Sequence, residues 1–305
     1  MRKVFNSPEL QKEFDKNGYV QVPFISPEKV EKLKNLFVET LPQSGGQIRP
    51  EDVDTAGVTE ITYDFTFIDK NPDYKRLVFD IIAKEFAPEV EKLLADYKPI
   101  IANYIRKKPE GGGEVPVHQN WAFVEERKYT SVSIWCPLVD SCRENGTLEV
   151  VPGSHKRFGE FRGPMIPWEL ESIKPQLIEK YLQSLDTKAG DAVILDDSIV
   201  HYSRPNKTPG LRIAIQLILI PAEVPSVHYH LDYQKPDEIK VWEVDHDFYM
   251  QFNPWMKATG VKTVATLPYI PKPVSLNEFE LALRQPRIDE PLGFFSRIKK
   301  MFSEV

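Results

Sequence analysis

From Ile100 to Pro221 the chain breaks into short runs of alternating apolar and polar residues, separated by clusters of Pro, Gly and Asn, and no other feature constrains its fold as tightly. A period of two buries one face of a strand, and frequent turns favour antiparallel neighbours over long crossovers. Such a segment closes as a sandwich or a barrel. Before it the spacing is helical. Ser7-Pro8-Glu9 and Ser26-Pro27-Glu28 each read as an N-cap, a proline in the first turn and an acid beside it, and Leu33, Leu36 and Phe37 give the second helix its buried face. Gly18 to Val22 reads as a strand between them. A third helix is expected from about Tyr74 into the mid-90s, interrupted near Pro88 and resumed through Val90, Leu93 and Leu94.

Inside the alternating region His118-Gln119-Asn120 is followed by His201 and then Arg212. Residues i and i+2 of a strand share a face, so His118 and Asn120 can address one ion while Gln119 points away. Two imidazoles and a carboxylate on one side of a metal, with three positions left open, make up the site of non-haem Fe(II) oxygenases. Here an amide stands where the carboxylate would be. Arg212 lies in Leu211 to Ile218, a strand whose only polar side chains fall at even positions, and a lone guanidinium among apolar neighbours needs a buried anion.

Around these residues the chain resembles the phytanoyl-CoA dioxygenase family of Fe(II)/2-oxoglutarate oxygenases. His118 to Val124 resembles the family's first-ligand strand and Ser131 to Asp140 the next. Glu144-Asn145-Gly146-Thr147-Leu148, Val151-Pro152-Gly153-Ser154-His155 and Ala189-Gly190-Asp191-Ala192-Val193 follow in the family's order, before His201-Tyr202-Ser203 and Arg212. The likeness covers roughly residues 100 to 222 closely and 7 to 40 loosely. It implies an all-β core with added helices, a double-stranded β-helix of cupin-like jelly-roll type. The expected layout is one domain over 1–305: a helix-rich part, 1–99, bracing the sheet; the jelly-roll core with the metal site, 100–222; and a C-terminal extension, 223–305. It further implies that His118 and His201 bind Fe(II), with Asn120 at the third position, and that Arg212 pairs with the distal carboxylate of 2-oxoglutarate, helped by Ser203 and Ser133. The implied reaction hydroxylates a small organic or natural-product substrate while 2-oxoglutarate becomes succinate.

The family's motif is His-x-Asp, and Asn120 departs from it. A neutral carbonyl oxygen replaces a charged one, so metal affinity should fall. Glu114, Glu125 or Glu126 could supply the missing carboxylate, or water could take the position with Asn120 behind it. The alternative from another class is a catalytically silent protein that keeps the fold and Arg212, and binds 2-oxoglutarate or another metabolite without iron. A halogenase is the third reading, disfavoured because Asn is as large as Asp and leaves no room for chloride.

Other polar residues receive plainer readings. Asp196 and Asp197 are expected to close a turn, His155 to be structural, and His228 and His230 to face solvent or substrate. Lys107 to Glu114, with three consecutive glycines, reads as a lid, and Arg106, Lys107 and Lys108 as the basic cluster that CoA phosphates would want. Residues 159 to 188 read as a helical insert. The aromatics Trp242, Phe248, Tyr249, Phe252 and Trp255 could wall a pocket, but such numbers more often build a core. The basic amphipathic tail, Phe294 to Phe302, is expected to dock on its own domain; docking on a second copy would give a homodimer.

A net charge of -6 argues against a nucleic-acid partner. With 41% hydrophobic residues over 305 positions the chain can bury a large core, yet no run reaches the ~18 apolar residues of a membrane span. The two cysteines, Cys136 and Cys142, and a start without a signal-like apolar run point to a reduced, cytoplasmic location.

Overall fold

The computed structural model describes residues 2–49, 62–232, 234–252 and 260–285. Trp255 and the tail from Phe294 to Phe302 lie outside them.

In chain order the elements are α1 (Pro8–Asn17), β1 (Tyr19–Pro23), α2 (Pro27–Thr40), β2 (Asp64–Phe65), α3 (Pro72–Leu93), β3 (Tyr97–Lys107), β4 (Val115–His118), β5 (Val132–Pro137) and β6 (Glu149–Val150). They continue with α4 (Lys174–Lys180), β7 (Gln183–Ser184), β8 (Asp191–Asp196), β9 (His201–Ser203), β10 (Arg212–Pro221), β11 (Ser226–Leu231), β12 (Glu238–Val244), α5 (His246–Gln251), β13 (Thr263–Pro268) and α6 (Leu276–Leu283). Six strands form one sheet in the order β1-β8-β5-β10-β3-β2, and four form a second in the order β4-β9-β6-β7. The strand pairs in both are antiparallel. The fold is a jelly roll with added helices. A third sheet, β11-β12-β13, stands beside it.

The caps read from the sequence are in place: Ser7 Oγ accepts from the Leu10 amide at 3.3 Å and Ser26 Oγ from the Lys29 amide at 3.3 Å. β1 joins the large sheet against β8, so the N-terminal part supplies a strand as well as helices. α3 runs through Pro88 without the expected break. A proline inside a helix costs about 3 kcal/mol, but Ile82, Phe86 and Val90 are buried on either side of it at about 1.5–3 kcal/mol each, and packing outweighs the lost bond.

Alternation in β5 and β10 decides what each face of the large sheet does. Ile134, Cys136, Ile213, Ile215 and Leu217 pack into the core under the helices, together with Phe37, Ile82 and Phe86. The other face carries Trp135 and Ala214 into a smaller core between the two sheets, with Leu148, Val150 and Leu195. Arg212 and Gln216 share that inner face, so the strand that closes the main core also aims its only polar side chains into the mouth of the sandwich.

The insert is less helical than expected. Of residues 159 to 188 only α4 and a short 3-10 turn at 171–173 are helical; β7 joins the four-stranded sheet, and the rest crosses the sandwich end as irregular chain. Trp242, Tyr249 and Phe252 are buried with Phe67 and Phe123 as a core, the reading favoured over a pocket wall. Both described cysteines are free thiols.

Candidate metal centre

β4 and β9 are antiparallel neighbours, and His118 stands opposite His201 in their register. The two rings are 4.1 Å apart between centroids at 50°. Each ring is anchored in the same way. His118 Nδ1 lies 2.7 Å from the Pro116 carbonyl and His201 Nδ1 lies 2.9 Å from the Ile199 carbonyl. A carbonyl only accepts, so Nδ1 carries the proton in both rings and Nε2 keeps its lone pair, the arrangement seen in metal-bound histidines. Burial pushes His118 below the usual imidazole range, opposed by the Pro116 carbonyl and the Asn120 side chain. His201 lies well below it, through burial first and then the neighbouring His118. Both rings are therefore neutral at pH 7, as ligation requires.

Asn120 follows directly and shares the face of His118. Its amide nitrogen donates to Asp197 Oδ1 at 2.8 Å and lies 3.1 Å from Ser133 Oγ, while Ser133 Oγ donates to the same Asp197 oxygen at 2.6 Å. Asp197 is fully buried, and its Oδ2 makes no regular hydrogen bond among the described residues. Burial lifts its carboxyl to about 6, against the lowering effect of Ser133, Asn120 and Ser131. The aspartate pair thus divides its work. Asp196 closes the turn, accepting from the Ser198 amide at 2.8 Å, whereas Asp197 reaches into the site, a role the sequence reading missed.

None of the three glutamates considered as a replacement ligand is brought to the histidines. Glu114 accepts from the Tyr202 hydroxyl at 2.7 Å, Glu125 pairs with Lys128 at 2.9 Å, and Glu126 is held by Arg162. Among the described residues no group of three His, Cys, Asp or Glu could hold an ion. Asn120, by contrast, lines the same cavity as His118 and His201.

Arg212, 1% exposed, sits behind this group. Its Nη2 is 3.4 Å from Ser203 Oγ, its carbon lies 5.8 Å from the Trp135 ring centre, and Nε and Nη1 have no partner among the described residues. Burial lowers its pKa to about 9. Lys107 faces it across β3 and β10 but is already satisfied, with Nζ at 2.9 Å from the Ser203 carbonyl, 2.5 Å from Ser203 Oγ and 2.6 Å from the Arg204 carbonyl. Only the arginine has donors to spare for an anion. Ser203 Oγ also donates to the Gly146 carbonyl at 2.7 Å, so it steadies Arg212 more than it offers a donor to a ligand. Ser133, expected beside the co-substrate, is committed to Asp197.

These groups line one cavity of about 250 Å³, in which His118, Asn120, His201 and Arg212 share the wall with Tyr63, Phe67 and Trp121. A second space of about 340 Å³ adjoins it under the 159–169 loop and also touches His118. Gln119 points away, as its position predicts, tying Phe158, Ser198 and Trp168 together.

Three other expectations are corrected. The segment from Lys107 to Glu114 is pinned, since the Gly111 amide donates to the Asn206 carbonyl at 2.6 Å and Lys107 is a buried strand residue. It is no free lid. Nor is there a basic cluster, because Arg106 is paired with Asp64 and only Lys108 of the three is exposed. His228 is 2% exposed and stacked on Trp242, away from solvent, because it belongs to the inward face of β11. His155 is buried beside Gly18 and Phe14, in the structural role expected of it.

The sequence model of the phytanoyl-CoA dioxygenase (PhyH) family matches residues 14–214. The phytanoyl-CoA dioxygenase domain-containing protein 1 homolog of Dictyostelium discoideum is 30% identical over 201 residues, which are 62% of this chain and 68% of that protein. Phytanoyl-CoA dioxygenase 1 of Oryza sativa subsp. japonica is 34% identical over 124 residues, 39% of this chain and 43% of its own length, so the match spans less than half of the rice protein. Among solved structures, the epimerase SnoN in complex with Fe3+, alpha ketoglutarate and nogalamycin RO superposes with a TM-score of 0.54 at 17% identity, covering 88% of this chain and 96% of that one. That likeness is one of fold.

Proposed function

Since the chain belongs to the phytanoyl-CoA dioxygenase family, we propose that it is an Fe(II)- and 2-oxoglutarate-dependent oxygenase that hydroxylates a small organic molecule and releases succinate. One observation carries the reading: the buried guanidinium of Arg212, with two nitrogens that have no partner among the described residues, opens on the same cavity as two imidazoles whose Nδ1 protons are already committed. A dicarboxylate with an oxo group at one end fits such a pair of poles.

His118 and His201 would hold the ion through Nε2, with Asn120 Oδ1 beside them, and Arg212 would take the distal carboxylate of 2-oxoglutarate. The ion, when bound, supplies oxygen activation; the protein supplies orientation and a dry enclosure. Trp121, Phe67 and Phe123 make the lining of that enclosure largely apolar, and Tyr63 and Phe65 add two more aromatic walls. A compact, largely apolar substrate suits this lining, and the missing basic cluster disfavours a CoA thioester.

A silent binding protein is the second reading, and Asn120 is what favours it. Fe(II) loading under argon, followed by succinate measurement in air with 2-oxoglutarate, separates the two. An oxygenase retains iron and forms succinate; a chain that holds no iron even with 2-oxoglutarate present sinks the first reading.

A further inference from the structure

We propose that Asp197 is a positioning residue for the third ligand: it turns the Asn120 amide so that Oδ1 faces the histidines, and sets behind it the negative charge that an amide lacks. The inference rests on the metal-site reading above.

The orientation follows from hydrogen-bond roles. A carboxylate accepts and does not donate, so the Asn120 atom 2.8 Å from Asp197 Oδ1 must be the NH2 group. Ser133 spends its only hydroxyl proton on the same carboxylate, so toward Asn120, 3.1 Å away, it can only accept. Both neighbours demand the nitrogen end. Oδ1 is left for the opposite side, where His118 stands. A bond from N–H to a carboxylate also polarises the amide and enriches its oxygen, which makes a neutral ligand behave more like a charged one. Asp197 and Ser133 are at most 1% exposed, so water does not compete for these contacts.

Other roles for Asp197 fit less well. Turn closure belongs to Asp196. Direct ligation would need Asp197 grouped with both histidines, and no such group exists among the described residues. What remains is a carboxylate displaced by one hydrogen bond from the position where the family motif places it.

The test is a calorimetric Fe(II) titration under argon on four full-length chains: native, Asp197→Asn, Asn120→Asp and the double variant. Asp197→Asn should weaken Fe(II) binding roughly tenfold or more in the native background, the size expected for losing a charge-assisted hydrogen bond. In the Asn120→Asp background the same substitution should strengthen binding, because a carboxylate at position 120 is repelled by Asp197 and welcomes an amide there. A residue that merely supports the fold would not reverse sign. The same sign in both backgrounds, or no effect in either, overturns the proposal. Should Asp197→Asn not fold alone, the comparison of Asn120→Asp with the double variant decides: tighter binding in the double supports it, and equal or weaker binding overturns it. His201→Ala separates the two levels of inference. Native and His201→Ala chains that both bind no Fe(II) remove the metal site and this proposal together, whereas binding by native and Asp197→Asn alike, lost in His201→Ala, removes this proposal alone.

Discussion

Arg162 and Glu126 form a buried ion pair with two contacts of 2.7 Å, and the same guanidinium donates from Nε to the main-chain carbonyl of Asn120 at 2.7 Å. The irregular chain that crosses the sandwich end is thereby bolted to the residue that completes the candidate metal site. Both side chains are under a tenth exposed, so solvent screens the pair little.

Glu126→Ala should therefore destabilise the fold by about 3–5 kcal/mol, the usual cost of leaving a buried partner uncompensated. Replacing both residues with apolar ones of similar size should cost much less. Urea unfolding of the single and double variants measures the difference; a Glu126→Ala loss below about 1 kcal/mol would contradict the pair's role.

Arg212→Ala should weaken 2-oxoglutarate binding by about 2–5 kcal/mol, because the carboxylate would face an apolar strand. Arg212→Lys should recover part, since one ammonium cannot reproduce a two-pronged contact. Anaerobic calorimetry with Fe(II) present reads this directly, and unchanged affinity in the alanine variant rules the contact out.

Gly146 has a φ of 80°, and a methyl there would collide with the Arg204 carbonyl and press on Lys107 Nζ at 3.0 Å. Gly146→Ala should lower stability by more than about 1 kcal/mol, through left-handed backbone and displaced neighbours alike. Because Lys107 and Gly146 both hold Ser203, 2-oxoglutarate affinity should fall with it. A melting temperature equal to the native one would count against this account.

Burial, with His230 adding to it, lowers His228 to about 3, and its Nε2 has no partner among the described residues. The unfolded chain takes up its proton near pH 6.5, the folded chain only near 3, so stability is lost progressively as pH falls between those values. His228→Phe should match the native protein at pH 8 and exceed it by about 2 kcal/mol at pH 5. Parallel melting curves at the two pH values test this; an equal offset at both would place the effect in packing instead of protonation.

That His118, Asn120, His201 and Arg212 line one cavity was legible in part from strand alternation, which sets His118 and Asn120 on a shared face, and for the distant His201 and Arg212 from the resemblance to the family's motif order. Asp197's part in it was not. It sits beside Asp196 at a strand end where either carboxylate could cap the turn, and only the pairing of β5 with β8 brings it to Ser133 and Asn120. Lys107 was misread for a related cause: polar glycine-rich sequence follows it immediately, which hides that β3 extends to pair it with Arg212. His228 looked solvent-facing by its own polarity, but the aromatic residues that bury it come from β12 and α5. Contacts set by long-range register leave little trace in local pattern.

The pairing of His118 with His201 across β4 and β9 makes chemistry a witness to alignment. A slip of one residue between these strands would send one imidazole to the opposite face. An ion gripped by both rings can exist only when the two strands have zipped in the native frame, so occupancy would act as a proofreader that rewards the correctly aligned long-range pair over its misthreaded competitors.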